Sequence, residues 1–106
     1  MSEARLTQTG PLWLWTASNG VSWHFVTIDG AAGETIAANE AMRRLELGRK
    51  RGFRSQKVEV QIGETLWSTS CFPSDDGAWL LPVKAPVRKA EGLAEGDEVR
   101  VILTLI

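Results

Sequence analysis

The chain has 106 residues, of which 43% are hydrophobic and 24% are charged, and its formal net charge is −1. These values are typical of one globular domain and argue against an intrinsically disordered chain. A net charge this close to zero creates no global attraction to nucleic acid or to an anionic membrane. The single cysteine, Cys71, has no partner for an intramolecular disulfide bond. One cysteine and one histidine also argue against a zinc site, so we expect no metal and no cofactor.

The beginning of the chain does not have the pattern of a targeting segment, because Glu3 is acidic and polar residues interrupt the apolar ones. No apolar run approaches the roughly 18 residues that a membrane-spanning helix needs. Cysteine usage this sparse is compatible with a reducing compartment. We therefore expect a cytoplasmic protein that forms one domain over residues 1–106 and does not associate with a membrane.

A hairpin and a helix are predicted first along the chain. Strands over residues 12–15 and 21–26 flank Asn19-Gly20, and both turn residues tolerate the positive φ of a type I′ turn. A helix is expected over residues 33–47, with Gly48 placed to end it. Its apolar positions fall at i, i+3, i+4 and i+7 and predict a narrow buried stripe made of Ala38, Ala41, Met42 and Leu45.

A second hairpin follows the helix. Residues 58–62 alternate between apolar and polar side chains, which is the period of a half-buried strand. Gly63-Glu64 has glycine at the first central position, as a type II′ turn requires, and predicts a returning strand over residues 65–72. The sequence Asp75-Asp76-Gly77 then turns the chain into a further strand over residues 78–83.

The end of the chain is predicted to form a short helix and a strand. The helix covers residues 85–91, with Pro86 in its first turn and Gly92 at its end. The strand covers residues 99–106 and places on one face Val99, Val101, Leu103 and Leu105. The order is therefore β-β-α-β-β-β-α-β. Six short strands joined by tight turns favour a mainly β, antiparallel closed or split barrel with one longer and one short helix.

Six segments together carry a family resemblance that covers nearly the whole chain. They are residues 23–26 (WHFV), 49–53 (RKRGF), 58–63 (VEVQIG), 67–73 (WSTSCFP), 81–84 with 87–90 (LPVK, VRKA), and 96–99 (GDEV). In their order and spacing they resemble a bacterial family known only as a domain of unknown function, number nineteen-oh-five, often found beside a YdeI/OmpD-associated domain. The resemblance implies a small double-split β-barrel, similar to the DNA-binding barrels of AbrB-type regulators. It implies no activity, because none is assigned to the family, and fold likeness alone is a weak guide to function.

The first candidate site is a group of cations around the short helix. Lys84 and Arg88 are four residues apart and share a helix face, and Lys89 follows directly. Such a group can hold a carboxylate or a phosphate. The alternative is that Arg88 forms a structural ion pair with Asp97 or another acidic residue. We group with these cations, as candidate ligand-binding residues, Ser70 from the hydroxyl-rich strand and the aromatic Trp79.

The second candidate site is a basic run over residues 43–57 that includes Arg43, Arg44 and Lys57. Local clusters of this kind bind phosphates even in a neutral protein, and an aromatic ring among them can stack on a base. The alternative is a solvated helix end and loop. The candidate nucleic-acid-binding residues within the loop 49–57 are Arg49, Lys50, Arg51, Phe53 and Arg54.

No set of residues in the sequence indicates catalysis. His24 is expected to point away from Trp23 and Phe25, outward or into a polar groove, and no serine lies in a nucleophile elbow. Cys71 is expected to be a buried, unreactive thiol. We therefore assign no catalytic residue and carry three hypotheses. The leading one is a non-enzymatic module that binds a small anion or a protein partner, which leaves room for a homodimer. The others are a nucleic-acid-binding protein, which is less favoured, and an enzyme with an unrecognised site.

Overall fold

A computed structural model describes residues 5–47 and 55–106, which form seven strands and two helices. None of the helices in these two ranges is long and apolar enough to cross a membrane. The elements are, in chain order, β1 (Arg5–Pro11), β2 (Trp13–Thr16), β3 (Ser22–Ile28), α1 (Gly30–Leu47), β4 (Gln56–Ile62), β5 (Thr65–Pro73), β6 (Trp79–Pro82), α2 (Ala85–Glu91) and β7 (Glu98–Leu105).

The strands form one antiparallel sheet in the order β1-β7-β4-β5-β6-β3-β2, which curves into a half-barrel. Strand β5 joins its two halves, because its first seven residues pair with β4 and its end, Phe72-Pro73, pairs with β6. This confirms a mainly β, antiparallel fold with one longer and one shorter helix. It also confirms the hydrophobic face of β7, on which Val99, Val101 and Leu103 are buried.

The sheet has one strand more than the sequence predicts. Strand β1 pairs with β7 from Arg5 opposite Thr104 to Pro11 opposite Glu98. Sequence reasoning missed β1 because it is an edge strand with little apolar patterning, and its outward positions are exposed and polar. Leu12 separates β1 from β2 and is completely buried.

Helix α1 begins three residues earlier than predicted and buries a different face. The expected stripe is wrong: the side chains of Met42 and Leu45 are 60% and 78% exposed. Instead, α1 packs on the core through Ala32 and the fully buried Ile36. The buried face of α1 is thus set at its beginning, where Gly33 lies against Ile28. At Gly33 an added Cβ would lie 2.9 Å from the main-chain oxygen of Ile28, so only glycine allows this close approach.

Of the two predicted hairpin turns, the structure contradicts the first and agrees with the second. The type I′ expectation for Asn19-Gly20 is wrong, because Gly20 has a φ of 89° while no residue other than glycine has positive φ in the described ranges. The loop instead has three residues and is closed by two main-chain hydrogen bonds: the N–H of Ala17 donates to the oxygen of Val21 at 2.8 Å, and the N–H of Gly20 donates to the oxygen of Ala17 at 2.9 Å. The Gly63-Glu64 turn has positive φ only at its first central residue, as type II′ requires, and pairs Ile62 with Thr65.

Candidate ligand-binding cleft

A cleft of about 310 Å³ lies between the end of the β2–β3 hairpin and the start of α2. Two neighbouring residues of β3 contribute to it from opposite faces of the sheet, since side chains alternate along a strand. Trp23 lies on the outer face, and His24 lies on the same face as the core residue Val26. The lining residues are Val21, Ser22, Trp23, His24, Pro82, Val83, Lys84, Ala85 and Arg88.

The ring of Trp23 is positioned by a row of aromatic side chains on the outer face of β2 and β3. It stacks on Phe25 with 6.2 Å between ring centroids and an interplanar angle of 5°. Phe25 in turn contacts Trp13, with ring centroids 5.3 Å apart. The indole Nε1–H of Trp13 donates a 2.9 Å hydrogen bond to Thr27 Oγ1. The cleft therefore has a flat aromatic wall whose ring is supported from behind but remains 42% exposed.

The two cations of the cleft are held by the chain around the start of α2. Lys84 is the N-cap residue of α2 and its side chain is exposed, without a capping hydrogen bond. Arg88 lies one helical turn further on and is half-buried. Its Nε–H donates a 3.1 Å hydrogen bond to the carbonyl oxygen of Val83, which fixes the guanidinium beside the cleft.

The ion pair considered for Arg88 does not form. The carboxylate of Asp97 instead accepts a 2.8 Å hydrogen bond from the main-chain N–H of Ala94 and closes its own turn. Within residues 5–47 and 55–106, Arg88 has no carboxylate partner. Arg88 is thus a partly buried residue without a carboxylate partner among the described residues, at the edge of a mainly apolar cleft.

His24 supplies an unsatisfied polar atom at the same place. Its main-chain oxygen accepts a 2.9 Å hydrogen bond from the N–H of Val83, which continues the pairing of β3 with β6. Its Nδ1 is buried and has no hydrogen-bond partner in the described part of the chain. Unpaired buried polar atoms are uncommon, and one beside a cleft indicates where a water molecule or a ligand belongs. The expectation that His24 lies on the face opposite to Trp23 and Phe25 is confirmed, but the expectation that it points outward or into a polar groove is wrong, because it shares the inner face of β3 with the buried Val26 and its Nδ1 is buried.

The five candidate ligand-binding residues are not brought together. Lys84 and Arg88 line this cleft. Lys89 is exposed and lies outside it, whereas Trp79 is 2% exposed and belongs to the hydrophobic core. Ser70 lines a separate cleft of about 300 Å³. This cleft lies where β4 begins, at the end of the β4–β5 pairing at which Lys57 is opposite Ser70.

The separate cleft contains the described part of the basic run. Arg44 forms a bidentate pair with the buried carboxylate of Glu40, at 2.9 and 3.2 Å. Arg43 donates a 2.5 Å hydrogen bond to the main-chain oxygen of Ile106, and Lys57 is exposed. The predicted nucleic-acid-binding residues, which are Arg49, Lys50, Arg51, Phe53 and Arg54, lie outside the described residues.

Cys71 lies in the core and takes no part in either cleft. Burial raises the pKa of its thiol to about 12, because the charged thiolate is disfavoured away from water. The thiol is therefore protonated at neutral pH, and thiolate is the reactive form. This confirms the expectation that Cys71 is buried, and its lack of reactivity stays a prediction.

Sequence reasoning missed Trp23, His24 and Pro82 as neighbours of the two cations. The sequence indicates only that a further pairing exists. The turn at Asp75-Asp76-Gly77 reverses the chain, so the strand that follows it must pair with an earlier strand, which the sequence does not identify. Its pairing with β3 brings Pro82 opposite Phe25. That choice depends on tertiary packing, because β3 and β6 are separated by α1 and the β4–β5 hairpin.

Comparison with known proteins agrees with the family resemblance of the sequence. No curated protein matches the chain. Residues 9–103 match the family model described as domain of unknown function DUF1905. Because the match covers nearly the whole chain, the protein belongs to the DUF1905 family.

Proposed function

We propose that this protein is a non-enzymatic binding module that holds a small anionic molecule in the cleft beside α2. The observation that carries the proposal is the unpaired charge of Arg88, which is half-buried and lacks a carboxylate partner among the described residues. Lys84 adds a second positive charge, and none of the described residues that line the same cleft carries a carboxylate.

The positive charge of Arg88 lacks a compensating negative charge among the described residues. A positive charge that loses part of its hydration needs a partner, because an unpaired charge away from water is unfavourable. An anion in the cleft supplies that partner. The guanidinium suits this role, because it is permanently charged and its terminal N–H groups form short hydrogen bonds with carboxylate or phosphate oxygens. Its Nε–H is already bound to Val83, so little side-chain freedom remains to be lost on binding.

Thermal unfolding in the presence of simple anions tests the proposal. The probes are inorganic phosphate, acetate, benzoate and citrate, each compared at the same total ionic strength because salt screens charges generally. A molecule that binds only the folded state raises the midpoint of unfolding. We expect at least one of the four anions to raise it for the native protein.

Three variants make the test specific. Arg88→Gln and Lys84→Gln remove the cations of the cleft, and in Arg88→Gln the side-chain amide of the introduced glutamine still offers a donor for the Val83 carbonyl oxygen. Lys89→Gln removes a neighbouring charge of α2 that does not line the cleft and is the matched control. The rise should persist in Lys89→Gln and disappear in Arg88→Gln. An unchanged rise in Arg88→Gln, or no rise with any anion, contradicts the proposal.

Two narrower expectations remain predictions. One is nucleic-acid binding through the loop of residues 49–57. Thermal unfolding with short DNA, at low and at moderate salt concentration, tests it. The other is the AbrB-like double-split form of the barrel. The half-barrel sheet and two helices are compatible with it, and an experimental structure of the full chain tests it.

A further inference from the structure

We infer that the ligand of this cleft is an aromatic carboxylate, that is, a molecule with a flat apolar body and one carboxylate group. The inference rests on the proposed function and narrows it to a chemical class. It excludes inorganic phosphate, sugar phosphates and zwitterionic amino acids as the preferred occupants.

The apolar body follows from the composition of the lining. Apart from the two cations, His24 and Ser22, the cleft is lined by aliphatic and aromatic groups, among them Val21, Trp23 and Pro82. A bare phosphate has no apolar surface to place against these groups. Removing apolar surface from water is favourable in proportion to its area, and roughly 60 Å² corresponds to about a tenfold gain in affinity.

The flat shape follows from the aromatic wall. The Trp23 ring is held parallel to Phe25, and this stack presents one exposed indole to the cleft. A planar molecule can contact most of the exposed face of the indole ring, and aromatic rings also favour offset stacking. The volume is adequate: about 310 Å³ is roughly twice the 150 Å³ of a protein cavity known to hold benzene. The cleft therefore has room for two fused rings and a carboxylate.

The charge of the ligand follows from the charges of the cleft. Lys84 and Arg88 both present positive charge, and the part of the chain that the structure describes contributes no carboxylate to the cleft lining. An ammonium group on the ligand would be repelled by two cations without an acid to bind it, so a zwitterion or an amine is disfavoured. An anionic group meets two attractive partners.

Calorimetric titration of the full chain tests this inference with three probes. Naphthoate carries the flat body and the carboxylate, naphthylmethylamine carries the same body with the opposite charge, and inorganic phosphate carries the charge alone. At constant ionic strength we expect naphthoate to bind at least about tenfold more tightly than phosphate. The amine should show no saturable binding.

Paired variants identify the site of binding. Trp23→Leu removes the aromatic wall of the cleft. Trp15→Leu is the control: Trp15 is opposite Trp23 on the neighbouring strand and is 47% exposed, but it does not line the cleft. Naphthoate affinity should fall about tenfold or more in Trp23→Leu and in Arg88→Gln. It should be unchanged in Trp15→Leu.

The outcomes separate the inference from the proposed function. If phosphate binds as tightly as naphthoate and Arg88→Gln abolishes both, the cleft is an anion site and the aromatic class is wrong. If the amine binds as tightly as naphthoate, or Arg88→Gln and Trp23→Leu leave naphthoate binding unchanged, the inference is overturned because adsorption is non-specific. If naphthoate does not bind but one of the four simple anions does, the inference is overturned and the proposed function stands. If neither naphthoate nor any of the four simple anions binds, both are contradicted.

Discussion

Replacing Ile36 by alanine should strongly destabilise the protein, because Ile36 attaches α1 to the rest of the fold. It is completely buried and belongs to the main hydrophobic core, whereas Met42 and Leu45 of the same helix are exposed. Among the side chains of α1 that the structure describes, Ile36 is the large apolar one in the core, and the small Ala32 and Ala37 pack beside it.

The expected magnitude follows from the atoms removed. Ile36→Ala deletes three carbon groups, and at about 0.8 kcal/mol for each buried group this is roughly 2.4 kcal/mol. The cavity left behind adds to the loss, which places the total between about 2 and 5 kcal/mol. A domain of this size typically has about 5–15 kcal/mol of stability, so the change is a large fraction of the whole.

Urea unfolding followed by tryptophan fluorescence and by far-ultraviolet circular dichroism measures this loss. Leu45→Ala is the matched control on the same helix, since its side chain is 78% exposed and its removal should change the free energy of unfolding by less than about 0.5 kcal/mol. A loss below about 1 kcal/mol for Ile36→Ala, or an equal loss in the two variants, would refute this account of how α1 packs.

Three further predictions concern other parts of the fold. The Cys71 thiol, with its pKa raised to about 12 by burial, should resist a thiol reagent at neutral pH in the native protein and react once urea unfolds it; fast native labelling would contradict its placement. Gly63→Ala should lower the free energy of unfolding by about 1–2 kcal/mol in urea titrations, because the residue has a φ of 58°, which a side chain disfavours, and because the Glu91 carboxylate would have to move away from the new Cβ and from the Thr65 hydroxyl that donates to it; a neutral effect would contradict the turn geometry. The main-chain N–H of Ala78, with a smaller contribution from the Ser74 hydroxyl, lowers the pKa of Asp76 from 3.8. The carboxylate therefore stabilises the fold above its ordinary pKa and loses this effect as the pH falls through the lowered value, so the stability difference between native protein and Asp76→Ala should shrink below about pH 4.

The local pattern of the sequence predicts most of the strands and both helices. Period-2 alternation identifies β4 and the buried face of β7, and glycine at the first position of a two-residue loop identifies the turn at Gly63. In these segments the local preference and the final burial agree. Helix α2 is also predicted with its observed bounds, because Pro86 begins it and Gly92 ends it in a left-handed conformation.

The errors occur where tertiary contacts decide. Helix α1 has weak amphipathic patterning, so the face it buries is determined by the close approach of Gly33 to Ile28 and not by the spacing of its apolar residues. Strand β1 is nearly all polar and forms because β7 offers a free edge. In the three-residue loop at Gly20, Asn19 does not adopt a left-handed conformation. Its side-chain oxygen instead accepts a hydrogen bond from the main-chain N–H of Val21.

The candidate site could be predicted only in part. Lys84 and Arg88 are close in sequence, and helical spacing alone places them on one face. The aromatic wall and His24 come from β3, about sixty residues earlier in the chain. Their proximity to the cations depends on the pairing of β3 with β6, which no local pattern specifies. The absence of an acidic partner for Arg88 in the described ranges likewise follows from the turn in which Asp97 is bound to Ala94.

The most direct test of the anion-binding account is an NMR titration of nitrogen-labelled protein with benzoate, which follows the indole N–H signals of the tryptophans and the main-chain N–H signals of α2. The account predicts a saturable shift of the signals of Trp23 and Arg88, while the signal of the core residue Trp79 stays in place. A shift confined to residues of the separate cleft, such as Lys57 and Ser70, would contradict it, and so would the absence of any saturable shift with benzoate and then with phosphate, acetate and citrate.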